Sequence, residues 1–295
     1  MHALLIPVGS AGDVHPFLGL GRGLLARGHR VTVATNSLFG AVAADLGMEF
    51  VEIGTREEFA DAMKNPDLWH PTKGFPMIIR EALIPLVPRI YEVIQRHYVP
   101  GDTFVVAGTL AFGARLAQEK LGVPLAMTHL SPSCLRSIHD FPALPRLSRP
   151  DLLPMWLRPW LWKLADLMID RMMCPGLNAH RAAVGLPPVR RPMHEWMHSP
   201  LLTLGLFPDW FAAIQPDWPA SMRLAGFPLY DERDAAPMSA DVEAFLAAGA
   251  PPVAFTPGSA MLEGREFFAA SMDACLRAGL RGVLLTRHGE QIPPH

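Results

Sequence analysis

The sequence predicts an α/β fold built on a parallel sheet, and three observations support this prediction. Short apolar segments of strand length alternate with segments of helical periodicity over residues 3–53 and 103–128. The strand segments are apolar at successive positions, which is typical of strands buried on both faces of a parallel sheet. The 30 prolines and 24 glycines favour many short connections over a helical bundle.

Composition excludes several classes of protein. Half of the 295 residues are hydrophobic and 18% are charged, which excludes a disordered chain. The net charge of −2 provides no electrostatic basis for binding nucleic acid. The three cysteines, Cys134, Cys174 and Cys275, are too widely spaced for a disulfide framework or a structural zinc site, so we expect a reducing compartment. We find neither a signal peptide nor an apolar run of membrane-spanning length, and therefore expect a cytoplasmic protein.

The first half of the chain predicts strands and helices in alternation. Strands are expected at residues 3–8, 30–35 and 48–53, separated by helices over residues 17–25 and 39–46. A further strand at 103–107, a helix at 110–121 that Gly122 ends, and a strand at 124–128 follow. Weaker strand patterns occur at 201–206 and 222–225.

Residues 132–200 depart from this alternation and predict a helical insertion at the binding face. The part at 152–173 has the pattern of an amphipathic helix, and its large apolar side chains allow two interpretations. They pack onto the N-terminal domain, or they form an apolar ligand channel or a membrane contact. The side chains in question are Trp156, Trp160, Trp162, Leu164, Leu167, Met168 and Met172.

The polar, aperiodic stretch at 231–238 predicts a linker between two domains. Residues 1–230 form the predicted first domain. Residues 239–295 begin a second β-α-β pattern, with strands at 252–256 and 282–286 and helices at 239–249 and 265–278. Two strands are too few to bury a sheet independently, so we expect either a fragment or a vestigial second domain.

The loop at residues 9–16 carries the first candidate site. Its glycines allow backbone amides to approach a ligand at the positive end of a helix, although a plain tight turn has the same pattern. Asp13 is either a general base or the N-cap of a helix that begins near Pro16. Ala11 breaks the dinucleotide fingerprint, and the second strand ends without a ribose-binding acid, which discriminates against a nucleotide-cofactor oxidoreductase.

Several segments together resemble family 1 glycosyltransferases of the GT-B fold, in the subgroup of sterol and antibiotic glucosyltransferases. Residues 9–18 and 27–32 resemble the opening of these enzymes, and residues 255–260 resemble the entrance to their donor domain. The tryptophan- and proline-rich segments at 196–200, 206–211, 215–219 and 226–229 look like a bacterial branch that includes the rhamnosyltransferase of rhamnolipid synthesis. The chain departs from the family in lacking the His/Gly-rich donor signature and most of the second Rossmann-like domain.

The resemblance implies an inverting hexosyltransferase. A hexose or a deoxyhexose such as rhamnose would pass from a UDP- or dTDP-sugar to a hydroxyl of a hydrophobic acceptor, such as a hydroxy-fatty acid, a sterol or another aglycone. The resemblance also implies that the acceptor binds in the domain at residues 1–230 and the donor mainly in the domain that begins at residue 239. The residue at the position of Asp13 is the family's base. No metal and no cofactor besides the nucleotide sugar is expected, because helix N-termini and backbone amides can neutralise the leaving diphosphate.

Seven further residues are candidates for substrate binding. Ser10, His15 and His129 are assigned to the acceptor, and Gly12, Gly258, Ser259 and Arg287 to the donor. His15 is alternatively a surface or capping histidine, His129 a satisfied buried histidine, Gly258 and Ser259 a simple turn, and Arg287 a solvated cation.

The expected partners are a nucleotide sugar and a hydrophobic small molecule. A peripheral contact with the inner membrane face is compatible with the apolar insertion, and no nucleic acid or obligate protein partner is expected. Because both halves of the architecture must meet for catalysis, we expect the 295-residue chain not to transfer sugar at a measurable rate. A non-catalytic acceptor-binding module is therefore the alternative to the enzyme.

Overall fold

A computed structural model describes residues 1–65, 67, 68, 70, 72–143, 149, 152–230, 238–258 and 261–294. Within these residues seven parallel strands form one sheet: β1 (His2–Ile6), β2 (Arg30–Asn36), β3 (Glu49–Gly54), β4 (Thr103–Gly108), β5 (Leu125–His129), β6 (Leu202–Gly205) and β7 (Met222–Leu224). Their order is β3-β2-β1-β4-β5-β6-β7. The predicted α/β fold is therefore confirmed.

Helices cover both faces of this sheet. In chain order they are α1 (Ala11–Leu25), α2 (Gly40–Asp45), α3 (Arg56–Lys64), α4 (Gly74–Ile78), α5 (Ile84–His97), α6 (Phe112–Leu121) and α7 (Arg158–Ala183). Strand β1 shows why both faces must be covered. Ala3 and Leu5 belong to the core beneath α1 and α2, whereas Leu4 and Ile6 belong to the core beneath α5, α6 and α7. All four side chains are fully buried, as a central parallel strand requires.

The helices α3, α4 and α5 between β3 and β4 were not predicted from the sequence. Prolines conceal α4 and α5, since Pro76 lies in α4, and Pro85 and Pro88 lie in α5. A proline inside a helix removes one backbone hydrogen bond and normally signals an end. Here tertiary packing outweighs that cost, because α5 buries an apolar face that includes Val87, Ile90 and Ile94.

The predicted insertion helix exists, but α7 begins at Arg158 and continues to Ala183 instead of covering 152–173. Its inner face is tied to the loop after β5. The Trp162 indole donates a hydrogen bond to the Ser137 carbonyl at 3.2 Å, and Arg136 forms an ion pair with Asp166. These contacts hold the helix against the carboxyl side of the sheet, where β5 ends.

The C-terminal residues form a separate two-stranded parallel sheet. Its strands are β8 (Val253–Phe255) and β9 (Gly282–Leu284), with Val253 paired to Gly282. The helix α8 (Ala240–Ala247) precedes β8, and α9 (Arg265–Ala278) connects the two strands. The predicted β-α-β pattern is confirmed here. The predicted linker at 231–238 lies outside the described residues except for Met238. Within the described part of the chain, no helix is both long enough and apolar enough to cross a membrane.

Candidate active site

The loop after β1 places Asp13 at the start of α1. Ser10 is the N-cap, and Asp13 is the third helical residue. The carboxylate oxygen Oδ2 of Asp13 accepts hydrogen bonds from the Ser10 backbone amide at 2.8 Å and from the Ser10 hydroxyl at 3.2 Å. The helix thus starts at Ala11 and not near Pro16, and Asp13 supports the cap from the third position instead of being the N-cap itself.

Gly9 makes this arrangement sterically feasible. Its φ of +138° is unfavourable for a residue with a side chain, and a Cβ atom at this position would lie 2.1 Å from Oδ2 of Asp13. A glycine at this position therefore lets the carboxylate fold back over the loop.

The environment of Asp13 strengthens it as a base. Burial raises the pKa of its carboxyl group, while the hydrogen bonds from the Ser10 amide and hydroxyl oppose this rise without cancelling it. A carboxylate with a raised pKa accepts a proton more readily. Among the described residues, both hydrogen bonds to the Asp13 carboxylate are accepted by Oδ2, and Oδ1 accepts none.

A pocket of about 300 Å³ adjoins this loop. It brings together three of the predicted site residues, Ser10, His15 and Arg287. The His15 ring packs edge-on against Phe39 and Tyr230, with ring centres 6.1 and 5.4 Å apart. The complete lining is Ser10, Ala11, His15, Leu38, Phe39, Val42, Arg56, Phe59 and Arg287.

The sequence analysis missed Arg56 and Phe59, which line the pocket from α3. A signal for them was present, because Thr55 and Glu58 form a capping box at the start of this helix. Its hydrogen bonds run from the Glu58 amide to Thr55 Oγ1 and from the Thr55 amide to Glu58 Oε2, each 3.0 Å long. A capping box directly after a predicted strand places the following residues at the carboxyl edge of the sheet.

The structure favours the structural alternative for His129. The ring is fully buried, with Nδ1 3.0 Å from Thr109 Oγ1 and Nε2 3.1 Å from Nδ1 of His198. Burial, helped by the neighbouring His198, lowers the pKa of His129 to about 3. His129 therefore stays neutral in this geometry, and no part of its side chain is exposed to an acceptor.

His198 connects this buried pair to a second cavity of about 500 Å³. Burial lowers its pKa to about 4, with a further contribution from His194. The polar lining of the cavity includes Arg115, Arg136, His194, Asp217 and Ser221. The ion pairs of Arg115 with Glu119 and of Arg136 with Asp166 already neutralise its two cations. This second cavity was not predicted.

The remaining donor candidates are only partly described. Gly258 has a φ of +101°, and its amide donates a hydrogen bond to Thr256 Oγ1 at 3.2 Å, as in a tight turn. Ser259 lies outside the described residues. Gly12 is exposed in the first turn of α1. Among the residues that the structure describes, no three His, Cys, Asp or Glu side chains cluster closely enough to hold a metal ion.

Comparisons with known proteins identify the type of fold. Residues 3–139 match the glycosyltransferase family 28 N-terminal domain. The chain is 29% identical over 306 residues to glycosyltransferase GtfC of Amycolatopsis orientalis, covering 100% of this chain and 69% of the relative. It is 27% identical over 289 residues to dTDP-epi-vancosaminyltransferase of the same organism, covering 97% of this chain and 65% of the relative.

A solved glycosyltransferase structure has a similar fold. The glycotransferase of kitacinnamycin superposes with a TM-score of 0.60 at 20% sequence identity, covering 99% of this chain and 69% of that protein. The chain thus spans about two thirds of the length of these relatives. The comparisons support a transferase and give no support to the oxidoreductase alternative. Residues 3–139 are therefore similar to the glycosyltransferase family 28 N-terminal domain, within a chain that has the fold of GT-B glycosyltransferases.

Proposed function

We propose that this chain takes part in the inverting transfer of a sugar from a nucleoside diphosphate sugar to a hydroxyl group, with Asp13 as the general base. The observation that carries this proposal is the placement of the Asp13 carboxylate. The Ser10 amide and hydroxyl position the carboxylate, and burial raises its pKa. Ser10, in the same loop, lines a pocket. The similarity to glycosyltransferases supports this reaction class.

The proposed step balances as a single displacement. The acceptor oxygen forms a bond to the anomeric carbon while the bond from that carbon to the diphosphate breaks. The hydroxyl proton passes to Asp13, and the electron pair of the broken bond leaves on the diphosphate. The amides at the start of α1 and the nearby cations can stabilise the developing negative charge, so we propose that no metal is required.

The acceptor is proposed to be hydrophobic. Four apolar side chains, Leu38, Phe39, Val42 and Phe59, form one wall of the pocket next to the Asp13 loop. Such a wall binds an aglycone, a sterol or a hydroxy-fatty acid better than a free sugar. For the donor we propose a UDP- or dTDP-linked hexose or deoxyhexose such as rhamnose.

We propose that the 295-residue chain by itself transfers sugar slowly or not at all. Its described C-terminal residues contribute two strands and two helices, and many apolar side chains there are exposed, including Leu276 at 80% and Leu280 at 56%. A donor held by this unit makes few of the contacts that fix a near-attack geometry.

One experiment tests the transfer and this expectation together. The purified chain is incubated with UDP- and dTDP-sugars and with hydrophobic alcohols, sterols, hydroxy-fatty acids and hydrophilic sugars, and products are detected by mass spectrometry. We expect acceptor binding by thermal shift and little product. Rapid product formation would refute the expected inactivity, and a preference for hydrophilic sugars would refute the hydrophobic acceptor. Acceptor binding with no transfer, even when a complete donor domain is supplied, would leave only a binding module.

A second function, contact with a membrane surface, is favoured by the outer face of α7 and the residues before it. Trp156 and Trp160 are 70% and 63% exposed, which contradicts the interpretation that they pack into the core. The exposed residues Leu164, Leu167 and Met168 continue this surface. Lys163 lies 4.8 Å from the centre of the Trp160 ring, so a cation accompanies the aromatic surface, as in helices that bind anionic lipid.

A further inference from the structure

Two arginines from distant parts of the chain face the same pocket. Arg56 comes from the first turn of α3, and Arg287 follows β9 in the C-terminal unit. Neither guanidinium forms an ion pair or a hydrogen bond with any residue that the structure describes. This distinguishes them from Arg115 and Arg136, whose charges are neutralised by Glu119 and Asp166.

The rest of the lining adds positive potential and no negative charge. The described lining residues include no carboxylate. Ser10 is the N-cap of α1 and Ala11 its first residue, and the positive end of the helix dipole at this terminus favours an anion. Asp13, in the first turn, has its Oδ2 directed back to Ser10. Two guanidinium groups that have no ion-pair partner among the described residues therefore line one pocket beside a helix N-terminus.

The apolar part of the lining does not compete for the two arginines. Leu38, Phe39, Val42 and Phe59 carry no side-chain hydrogen-bond acceptor, so the guanidinium groups stay available to an anion. Arginine is suited to this because its planar fork of donors matches two phosphate oxygens at once.

We propose that Arg56 and Arg287 together bind the diphosphate of the donor, so that Arg56 is a donor-binding residue contributed by the N-terminal part of the chain. This inference rests on the proposed transferase function and deepens it. The leaving diphosphate gains negative charge as the anomeric bond breaks, and the two arginines compensate that charge. Donor binding would also link the C-terminal unit to the domain that carries Asp13.

The test measures the affinity of the full 295-residue chain for UDP and dTDP by NMR titration, which detects weak binding. Arg56→Gln and Arg287→Gln should each raise the Kd on the order of 10- to 100-fold, the loss expected for a charge-assisted hydrogen bond. Arg56→Lys should recover part of the affinity, because it restores the charge without the fork. The Arg56 side chain is exposed and unpaired, so the substitution should leave thermal unfolding unchanged.

Arg22→Gln is the matched control. Arg22 is also exposed, and it lies in the last turn of α1, roughly 16 Å along the helix from Ala11. This variant should bind UDP and dTDP as the wild type does. A nonspecific effect of net charge would weaken binding equally in Arg22→Gln and Arg56→Gln, and would overturn the proposal.

The remaining outcomes separate this inference from the function on which it rests. If the wild type binds UDP or dTDP and Arg56→Gln binds it equally well, the inference is wrong and the transferase proposal stands. Arg56→Gln could instead leave nucleotide affinity unchanged and alter only the preference between a hydroxy-fatty acid and its methyl ester. That result would assign Arg56 to the carboxylate of an acidic acceptor and would overturn the inference. If the wild type binds neither nucleotide at millimolar concentration, the inference is wrong. The transferase proposal is then decided separately, by the transfer assay with a complete donor domain supplied.

Discussion

Oδ2 of Asp13 accepts hydrogen bonds from both the backbone amide and the hydroxyl of Ser10, at 2.8 and 3.2 Å. The carboxylate that we propose as the general base thereby also supports the cap of the first helix. The sequence presented these two roles as alternatives, but a carboxylate held through Oδ2 alone can serve in both. A substitution at Asp13 must therefore be designed so that the loss of the cap is distinguished from the loss of the base.

Asp13→Asn should separate the two roles. The amide oxygen of asparagine still accepts a hydrogen bond from Ser10 but cannot act as a base at neutral pH. With a complete donor domain supplied, we expect turnover to fall about 100- to 10,000-fold while the unfolding midpoint stays close to that of the wild type. Asp13→Ala should lose turnover to the same extent and should also lower the free energy of unfolding by about 1–3 kcal/mol, because the Ser10 amide and hydroxyl lose their acceptor. Near-normal turnover in Asp13→Asn would show that Asp13 is only a cap.

Gly9→Ala should destabilise the protein more than Gly28→Ala. Both glycines have positive φ, but a Cβ at Gly9 would collide with the Asp13 carboxylate, whereas one at Gly28 meets nothing within 4 Å. The backbone cost, about 1–3 kcal/mol, applies to both variants, and the collision adds to it at Gly9 only. Urea unfolding of the two variants measures the difference. Equal destabilisation would mean that the Asp13 side chain moves aside at no cost.

Stability should decrease as the pH falls below 6.5, in part because of His129 and His198. Burial lowers the pKa of both residues in the folded state, to about 3 and about 4, from an ordinary value of 6.5. Between pH 6 and 4 the unfolded chain therefore binds protons that the folded chain does not. Each histidine should cost about 1 kcal/mol of unfolding free energy per pH unit in this range.

Urea unfolding across pH 4–8, compared between the wild type and His198→Asn, checks this prediction. The variant should show a shallower loss of stability at low pH, because one buried histidine has been removed. Direct NMR titration of the imidazoles provides a second readout. A native imidazole at either position that titrates near pH 6.5 would contradict the neutral, buried pair.

The exposed face of α7 should bind anionic membranes. The double variant Trp156→Ser, Trp160→Ser should lose flotation with phosphatidylglycerol vesicles while its thermal unfolding stays unchanged, since both side chains are largely exposed. Trp162→Ser is the contrasting variant. Its indole hydrogen-bonds to the Ser137 carbonyl and stacks with Arg136, so this change should lower stability. Equal flotation of the double variant and the wild type would exclude this face as the membrane contact.

Local sequence patterns determined the central sheet and the residue proposed as base. Runs of apolar residues buried on both faces identify β1, β2, β4 and β5, and glycines such as Gly122 mark where helices end. The segment after β1 carries Asp13 directly after Gly9 and Gly12, and its place at the carboxyl end of a parallel strand follows from the β-α-β order alone. These features depend on neighbouring residues, and a single sequence is therefore enough to predict them.

Only the tertiary structure decided which of the other candidate residues share a pocket. Arg56 and Arg287 meet there because β3 and the C-terminal unit are brought to the Asp13 loop, a proximity that no sequence spacing encodes. His129 is buried because His198 and Thr109 enclose it. Prolines concealed α5 because the sequence shows their local cost but not the packing energy that outweighs it. Contacts between distant segments depend on how the whole chain packs, whereas strands and turns depend on local preference.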